Sequence, residues 1–451
     1  MSTVSVQIAH PAPATGAGLR GAIAVPGDKS ISHRALILGA LCVGESTIHG
    51  LLEGQDVLAT AQALRAYGAH VTRGEDAIWR VNGLGVGGLM APGDVLDLGN
   101  SGTGVRLLLG LAASHGLTSV FTGDASLRQR PMQRVITPLQ QMGARFEAAA
   151  GGRLPITVIG TDRAMPIEYR LPVASAQIKS AVLLAGLNAP GITTVVEPRP
   201  SRDHTEHLLR HFGAEVEVST DADGARRIAL TGQPELRPQI VQVPGDPSSA
   251  AFPIAAALLV PGSDITIKDV GLNPLRAALL DTLRDMGAEI TEQNRRRHQG
   301  EAIADLRVRA GPLRGIEVPP ERAPAMIDEY PVLAALAAFA DGPTVMRGIG
   351  ELRVKESDRI TAMANGLGAL GVTVEELEDG LIVQGGNGAA PVRDDVCVDT
   401  EMDHRIAMSF LVYGLGAQGP VRVAGCEMIE TSFPGFAALM NGLGGRIEVA
   451  S

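Results

Sequence analysis

Apolar and polar positions along this chain repeat one phrase six times: an amphipathic helix runs into a glycine, and a strand of alternating side chains follows. The phrase reads Leu64-Arg-Ala-Tyr-Gly68-Ala-His-Val, then Leu139-Gln-Gln-Met-Gly143-Ala-Arg-Phe and Leu209-Arg-His-Phe-Gly213-Ala-Glu-Val. It continues as Leu283-Arg-Asp-Met-Gly287-Ala-Glu-Ile, Gly368-Ala-Leu-Gly371-Val-Thr-Val and Gly442-Leu-Gly444-Gly-Arg-Ile. Its glycines recur every 70 to 84 residues. A helix that turns sharply into a strand needs positive φ there, which glycine adopts without steric cost.

Upstream of each phrase the pattern predicts a second, more apolar helix that ends in its own turn and strand. These helices are expected from Ser32, Gly104, Ser175, Ser248, Tyr330 and His404. Every phrase but the last is followed by one more strand, such as Ile78-Trp-Arg-Val81. The unit is strand–helix–strand–helix–strand–strand, and six copies of it define an α/β chain.

Val25-Pro-Gly-Asp28 opens the first unit and returns as Val243-Pro-Gly-Asp246 at the fourth, which pairs the units into halves. The sixth unit stops at Ser451 one strand short, while Val4-Ser-Val-Gln-Ile8 stands alone at the other end. That strand is expected to complete the sixth unit. Two domains follow, residues 22–240 and residues 1–21 plus 241–451, joined by two chain crossings that would form a hinge. Ligand is expected to close it.

The loops entering the first helix of each unit are chemically unlike the rest. They read Asp28-Lys29-Ser30-Ile-Ser-His-Arg34, Asn100-Ser-Gly102-Thr-Gly, Ser175-Ala176-Gln177-Ile-Lys179, Asp246-Pro-Ser-Ser249, Asp328-Glu-Tyr330 and Asp403-His-Arg405. Entrances to the second helices add Arg130-Pro131, Ser201-Arg202-Asp203 and Lys355-Glu356-Ser-Asp-Arg359. Asp28, Asp246 and Asp403 read as helix caps, and Pro247 suits a first helical position. The cations do not read that way, because the helix dipole disfavours positive charge at an N-terminus by about 0.3–1 kcal/mol. A charge-assisted bond to a ligand oxygen returns about 1.5–3 kcal/mol, so the pattern suits a small substrate carrying phosphate or carboxylate groups. Asp328 and Glu356 stand among these cations, where a carboxylate helps only by handling protons. The fourth entrance, Asp246-Pro-Ser-Ser249, reads as purely structural.

A net charge of −10 argues against non-specific nucleic-acid binding. The run Arg295-Arg-Arg-His298 reads as a solvated loop. Aromatic residues make up only 3% of the chain, so the core must be filled by small and aliphatic side chains. Three cysteines without framework spacing suit a reducing compartment. The start of the chain has no signal-peptide pattern, and the longest apolar runs fall short of the roughly 20 residues that cross a bilayer. A cytoplasmic location and no membrane partner are expected. Gly83-Leu-Gly-Val-Gly-Gly88 matches a dinucleotide fingerprint but leads into Ala91-Pro-Gly93 rather than a helix, so it reads as a loop. His204, His207 and His211 share a helix face, yet no fourth ligand accompanies them, and no metal is expected.

Taken together, Pro26-Gly-Asp-Lys-Ser-Ile-Ser-His-Arg34, Leu98-Gly-Asn-Ser-Gly-Thr-Gly104, Arg130-Pro-Met132, Ser175-Ala-Gln-Ile-Lys-Ser180, Ser201-Arg-Asp-His-Thr-Glu206, Lys355-Glu-Ser-Asp-Arg359 and Asp403-His-Arg-Ile-Ala-Met408 resemble the EPSP synthase family of the shikimate pathway, nearly end to end. The resemblance implies two domains of three βαβαββ units each, an inside-out α/β barrel arrangement, with the active site in the inter-domain cleft. It implies transfer of the enolpyruvyl group of phosphoenolpyruvate to the 5-hydroxyl of shikimate 3-phosphate, with no metal or organic cofactor, by a monomer. It assigns Lys29, Ser30, Arg34, Ser175, Ala176, Gln177, Arg202, Asp328 and Lys355 to shikimate 3-phosphate. Lys29, Gly102, Arg130, Gln177, Arg359 and Arg405 fall to phosphoenolpyruvate, and Asp328, Glu356 and Lys29 to proton transfer.

Thr431-Ser-Phe-Pro434 stands where one branch of the family carries Lys-Thr-Phe-Pro, so the chain resembles the other branch, class II. Glyphosate is then an expected inhibitor, with partial tolerance, because the chain keeps Gly102 where an alanine narrows the pocket in tolerant members. Two other readings stay open. One is a UDP-N-acetylglucosamine enolpyruvyl transferase, although Gly123-Asp-Ala-Ser-Leu-Arg-Gln-Arg130 lacks the reactive cysteine of that family. The other is a non-catalytic anion-binding protein on the same scaffold, against which Asp328 and Glu356 tell.

Overall fold

The computed structural model describes residues 5–11 and 18–450. Its strands form six four-stranded sheets of one topology. In the first, Ile240–Gln242 lies parallel to Val43–His49, which pairs antiparallel with Trp79–Leu84, which pairs antiparallel with His70–Arg73. Ile48, Val71 and Val81 are buried, as the period of two requires. All six helix-to-strand glycines, 68, 143, 213, 287, 371 and 444, have φ between 95° and 107°. A Cβ at any of them would strain the turn.

The N-terminal strand enters the sixth sheet. Val6–Ala9 runs antiparallel to Val421–Ala424 and to Ile447–Val449, taking the place that Trp79–Leu84 holds in the first sheet. Val4, the first residue of the expected strand, lies outside the described residues.

Two opening strands are exchanged. Arg20–Ala24, which leads into the first unit's helix, lies parallel to Asp264–Gly271 of the fourth unit. Ile240–Gln242, which leads into the fourth unit's helix, lies instead beside Val43–His49 of the first. The compact units accordingly divide at 26/27 and 243/244, a few residues beyond the expected 22 and 240. One unit holds residues 27–243 with 297–301; the other holds the described residues up to 26, 244–296 and 302–450.

Each unit has its own core. The entrance helices of the first, Lys29–Ala40, Gly102–Ala113 and Ala176–Gly186, are buried nearly all round, as a helix apolar on every face must be. Gly110 lets two of them approach closely, since a Cβ there would fall 2.3 Å from Ala181 O. The second unit repeats the arrangement with Pro247–Leu259, Tyr330–Ala337 and His404–Gly416. Its few rings cluster: Phe339 meets Tyr413 edge-on at 5.1 Å, and Phe252 meets Phe436 at 5.9 Å.

The basic run expected to be a loop is a strand end. Arg295, Arg296, Arg297 and His298 close Glu289–His298, where Arg295 pairs with Glu292 and Arg296 with Asp269. Arg295 and Arg297 are exposed and Arg296 and His298 half-buried, so the strand end locally looks the same as a polar loop. Of the run 83–88 expected to be a loop, Gly83 and Leu84 end the strand Trp79–Leu84, and residues 85–88 form the turn that follows it. No helix among the described residues is long and apolar enough to cross a membrane.

Candidate active site

The predicted site residues fall into two clusters, one in each unit. In the first unit, Asp28 caps Lys29–Ala40 by accepting from Ile31 N at 2.9 Å, which places Lys29 on the first turn. Lys29 Nζ donates to Asp56 Oδ2 at 2.6 Å. Ser30 is half-buried, and its carbonyl accepts from Arg34 Nη1 at 2.9 Å. Arg34 is buried and also donates to Thr205 Oγ1 at 2.6 Å and Ser180 Oγ at 2.7 Å. Burial pulls its pKa down to about 10, and the positive charge of Arg202 acts in the same direction. Arg34 therefore stays cationic at neutral pH.

Ser101 caps Gly102–Ala113 through Gly104 N at 3.2 Å. Gly102 lies against a guanidinium: a Cβ there would be 2.8 Å from Arg130 Nη1. Arg130 is held by Asn100 Oδ1 at 2.6 Å and Ser126 Oγ at 3.3 Å. Ser175 caps Ala176–Gly186, so Ala176 and Gln177 sit on its first turn. Gln177 Nε2 donates to Thr103 Oγ1 at 3.0 Å, tying the third entrance to the second. Arg202 is half-buried just before His204–His211.

Beneath these groups lies a charge set that the local pattern did not show. Lys179, fully buried, donates to Glu206 at 2.8 Å, to Glu197 at 3.1 Å and to Ser201 O at 3.3 Å. Burial raises the Glu197 pKa, while Lys179 opposes that shift. The set joins the Ser175 entrance to the Ser201–Arg202 loop.

In the second unit the hub is Arg359, first residue of Arg359–Leu370 and 1% exposed. It donates to Asp403 Oδ2 at 2.7 Å and Oδ1 at 3.3 Å, to Glu356 Oε2 at 2.5 Å and to Asp328 Oδ1 at 3.4 Å. Burial alone would lower its pKa, but Asp403, Glu356 and Asp328 together push it above the ordinary arginine value. Asp328 sits in the turn Ile327–Glu329, with Lys355 Nζ at 3.6 Å from the same oxygen. Arg405 donates from Nη1 to Asp328 O at 3.0 Å and from its backbone N to Asp403 Oδ1 at 2.9 Å. Asp403 is thus a cap, as expected, and also the main counter-charge of Arg359. Burial works against its ionisation, yet Arg359 holds its pKa below the usual carboxylate value.

The first cluster gathers four cations, Lys29, Arg34, Arg130 and Arg202, and suits anions, whereas the second sets Asp328, Glu356 and Asp403 around Arg359 and suits proton handling. Asp56 was missed by sequence reasoning, although it sits at a second-helix entrance of the kind that flagged Arg130 and Lys355. The three histidines have separate partners: His204 pairs with Glu301 at 2.6 Å, His207 with Asp203 at 3.5 Å, and His211 contacts Ile240 O at 3.2 Å. Among the described residues, no group of His, Cys, Asp and Glu side chains is arranged to hold a metal. Cys42 and Cys426 are buried, and burial pushes both thiols up to about 12, away from the reactive thiolate range.

An EPSP synthase structure from Acinetobacter baumannii superposes with a TM-score of 0.87 at 42% identity, covering all of both chains. The enolpyruvyl transferase NikO from Streptomyces tendae, 20% identical with 99% of both chains covered, shares the fold at a TM-score of 0.77. The repeat fold is therefore the one that these two structures share. The family pattern of EPSP synthase (3-phosphoshikimate 1-carboxyvinyltransferase) matches residues 13–440. A 3-phosphoshikimate 1-carboxyvinyltransferase of Parvibaculum lavamentivorans is 62% identical over 94% of both chains, and that of Paramagnetospirillum magneticum 61% identical over 96% of both. The chain belongs to the EPSP synthase family of transferases.

Proposed function

We propose that this chain transfers the enolpyruvyl group of phosphoenolpyruvate to the 5-hydroxyl of shikimate 3-phosphate, giving 5-enolpyruvylshikimate 3-phosphate and phosphate. The observation that carries this reading is the cluster of Asp328, Lys355, Glu356, Arg359, Asp403 and Arg405, where two half-buried carboxylates, Asp328 and Glu356, share the buried Arg359 guanidinium, and Arg405 donates to the Asp328 carbonyl. Such a set can bind anions and move protons in one place.

Lys29, Ser30, Arg34, Ser175, Ala176, Gln177, Arg202, Asp328 and Lys355 hold shikimate 3-phosphate on this reading. Lys29, Gly102, Arg130, Gln177, Arg359 and Arg405 hold phosphoenolpyruvate. Asp328 takes the 5-hydroxyl proton as the oxygen attacks C2. Glu356, with Lys29, delivers a proton to C3, which becomes a methyl group in a tetrahedral intermediate. A C3 proton then leaves as the C–O bond to phosphate breaks. The two compact units, divided at 26/27 and 243/244, serve as the two domains, with the boundary strands exchanged as described. Glyphosate inhibits by occupying the phosphoenolpyruvate groups. The chain acts as a cytoplasmic monomer; three cysteines outside any disulfide suit that compartment, and both clusters come from one chain.

Turnover in D2O tests the chemistry. Protonation and deprotonation at C3 should leave deuterium in the product methylene by mass spectrometry, and a product free of deuterium would contradict addition–elimination.

A further inference from the structure

The fourth unit's opening supplies no group assigned to a substrate, yet its buried charges reach two residues that are. Glu329 follows Asp328 in the turn Ile327–Glu329, but the two carboxylates have different partners. Glu329 is 2% exposed and accepts from Arg276 Nη1 at 2.9 Å and from Ser248 Oγ. The same oxygen lies 3.5 Å from Arg405 Nη1. Arg276, itself buried, pairs with Asp246 Oδ1 at 3.2 Å, and that oxygen caps Pro247–Leu259 by accepting from Ser248 N at 2.8 Å. Since Arg405 Nη1 also donates to Asp328 O at 3.0 Å, consecutive residues hold one guanidinium, the first by its carbonyl and the second by its carboxylate.

Stability does not explain this arrangement well. Buried ion pairs are often no better than apolar side chains of the same volume. Glu329 Oε2, moreover, is buried with no hydrogen-bond partner among the described residues, which costs free energy that a leucine would not. What the network does achieve is geometric, because it links the start of Pro247–Leu259 to the Asp328 turn and to the Arg405 guanidinium. Resting on the reading of the function given above, we propose that Glu329, braced by Arg276 and Ser248, is a positioning residue that sets the Arg405 guanidinium for phosphoenolpyruvate. The fourth entrance is then the buttress of the fifth and sixth.

Steady-state kinetics of the full chain carrying Glu329→Gln tests this. Ser248→Ala, which removes only the bracing hydroxyl, serves as the milder variant should the first not fold. The KM for phosphoenolpyruvate should rise about tenfold in Glu329→Gln and about threefold in Ser248→Ala, with the KM for shikimate 3-phosphate within about twofold of wild type. In an Arg405→Lys background, Glu329→Gln should add less than about twofold, because the two act on one contact. An unchanged KM for phosphoenolpyruvate in folded variants would overturn the proposal, as would equal rises in both KM values that track a lowered unfolding midpoint. A wild-type chain that turns over neither substrate would instead sink the reading of the function.

Discussion

Replacing Gly102 by alanine adds a Cβ that would sit 2.8 Å from Arg130 Nη1 and 3.0 Å from Arg106 Nη1. Both neighbours are ends of flexible side chains, so the backbone need not move. Ordinary contact starts at 3.4 Å, and the Arg130 guanidinium must therefore retreat by roughly half an ångström. That retreat pulls against its bond to Asn100 Oδ1 at 2.6 Å and shifts its donors away from a bound anion. A charge-assisted hydrogen bond contributes about 1.5–3 kcal/mol, so loss of most of one raises the KM for phosphoenolpyruvate about 10- to 50-fold. Because Arg130 carries no proton in the reaction, kcat should fall by much less. Glyphosate inhibition should weaken as well, since the same donors would hold its anionic groups. Alanine is the better helix former, so the unfolding free energy should hold within about 1 kcal/mol. Coupled phosphate-release assays over a range of phosphoenolpyruvate, with and without glyphosate, read each of these. An unchanged KM in a folded Gly102→Ala variant would refute the placement of Arg130 beside the donor substrate.

Three further outcomes follow from titratable groups. His33 is fully buried, and burial pulls its pKa from 6.5 to about 3, so it is neutral when folded and ionises first in the unfolded chain. Stability should thus fall as pH drops from about 6.5 towards 3, by up to roughly 4 kcal/mol, and urea midpoints for His33→Asn should show a flatter decline. Lys179→Met leaves Glu197 and Glu206 buried without their cation and should cost about 3–5 kcal/mol in urea unfolding, most of it recovered when both glutamates become glutamine. Glu356→Gln should abolish one limb of the pH–rate profile and cut kcat by about 100-fold or more; an unaltered profile would remove Glu356 from proton transfer.

The repeats were legible because they are local: a glycine at positive φ and a 3.6-residue apolar period need no distant partner to be read. Cations at helix starts were legible for the same reason, since a helix dipole makes them anomalous in place. What stayed hidden joins residues far apart in sequence. Arg20–Ala24 and Ile240–Gln242 follow the pattern of opening strands, and nothing local reveals that they are exchanged between the first and fourth sheets. Lys179 lies in a visible motif, but its carboxylates come from Glu197 and Glu206, and the partners of Glu329 are Arg276 and Arg405, both far away along the chain. Asp403 gave a cap signal strong enough to mask its pairing with Arg359. The basic strand ending at His298 was misjudged because a solvated strand edge and a polar loop have the same composition.

The central claim is that the cations and carboxylates at the helix entrances serve one reaction on two anionic substrates. Its most direct test is phosphate release from phosphoenolpyruvate measured with shikimate 3-phosphate, with a UDP-N-acetylhexosamine, and with no acceptor. Release only with shikimate 3-phosphate, lost in Asp328→Asn, is the predicted result. Release with the nucleotide sugar instead, or binding of both anions without any release, would contradict it.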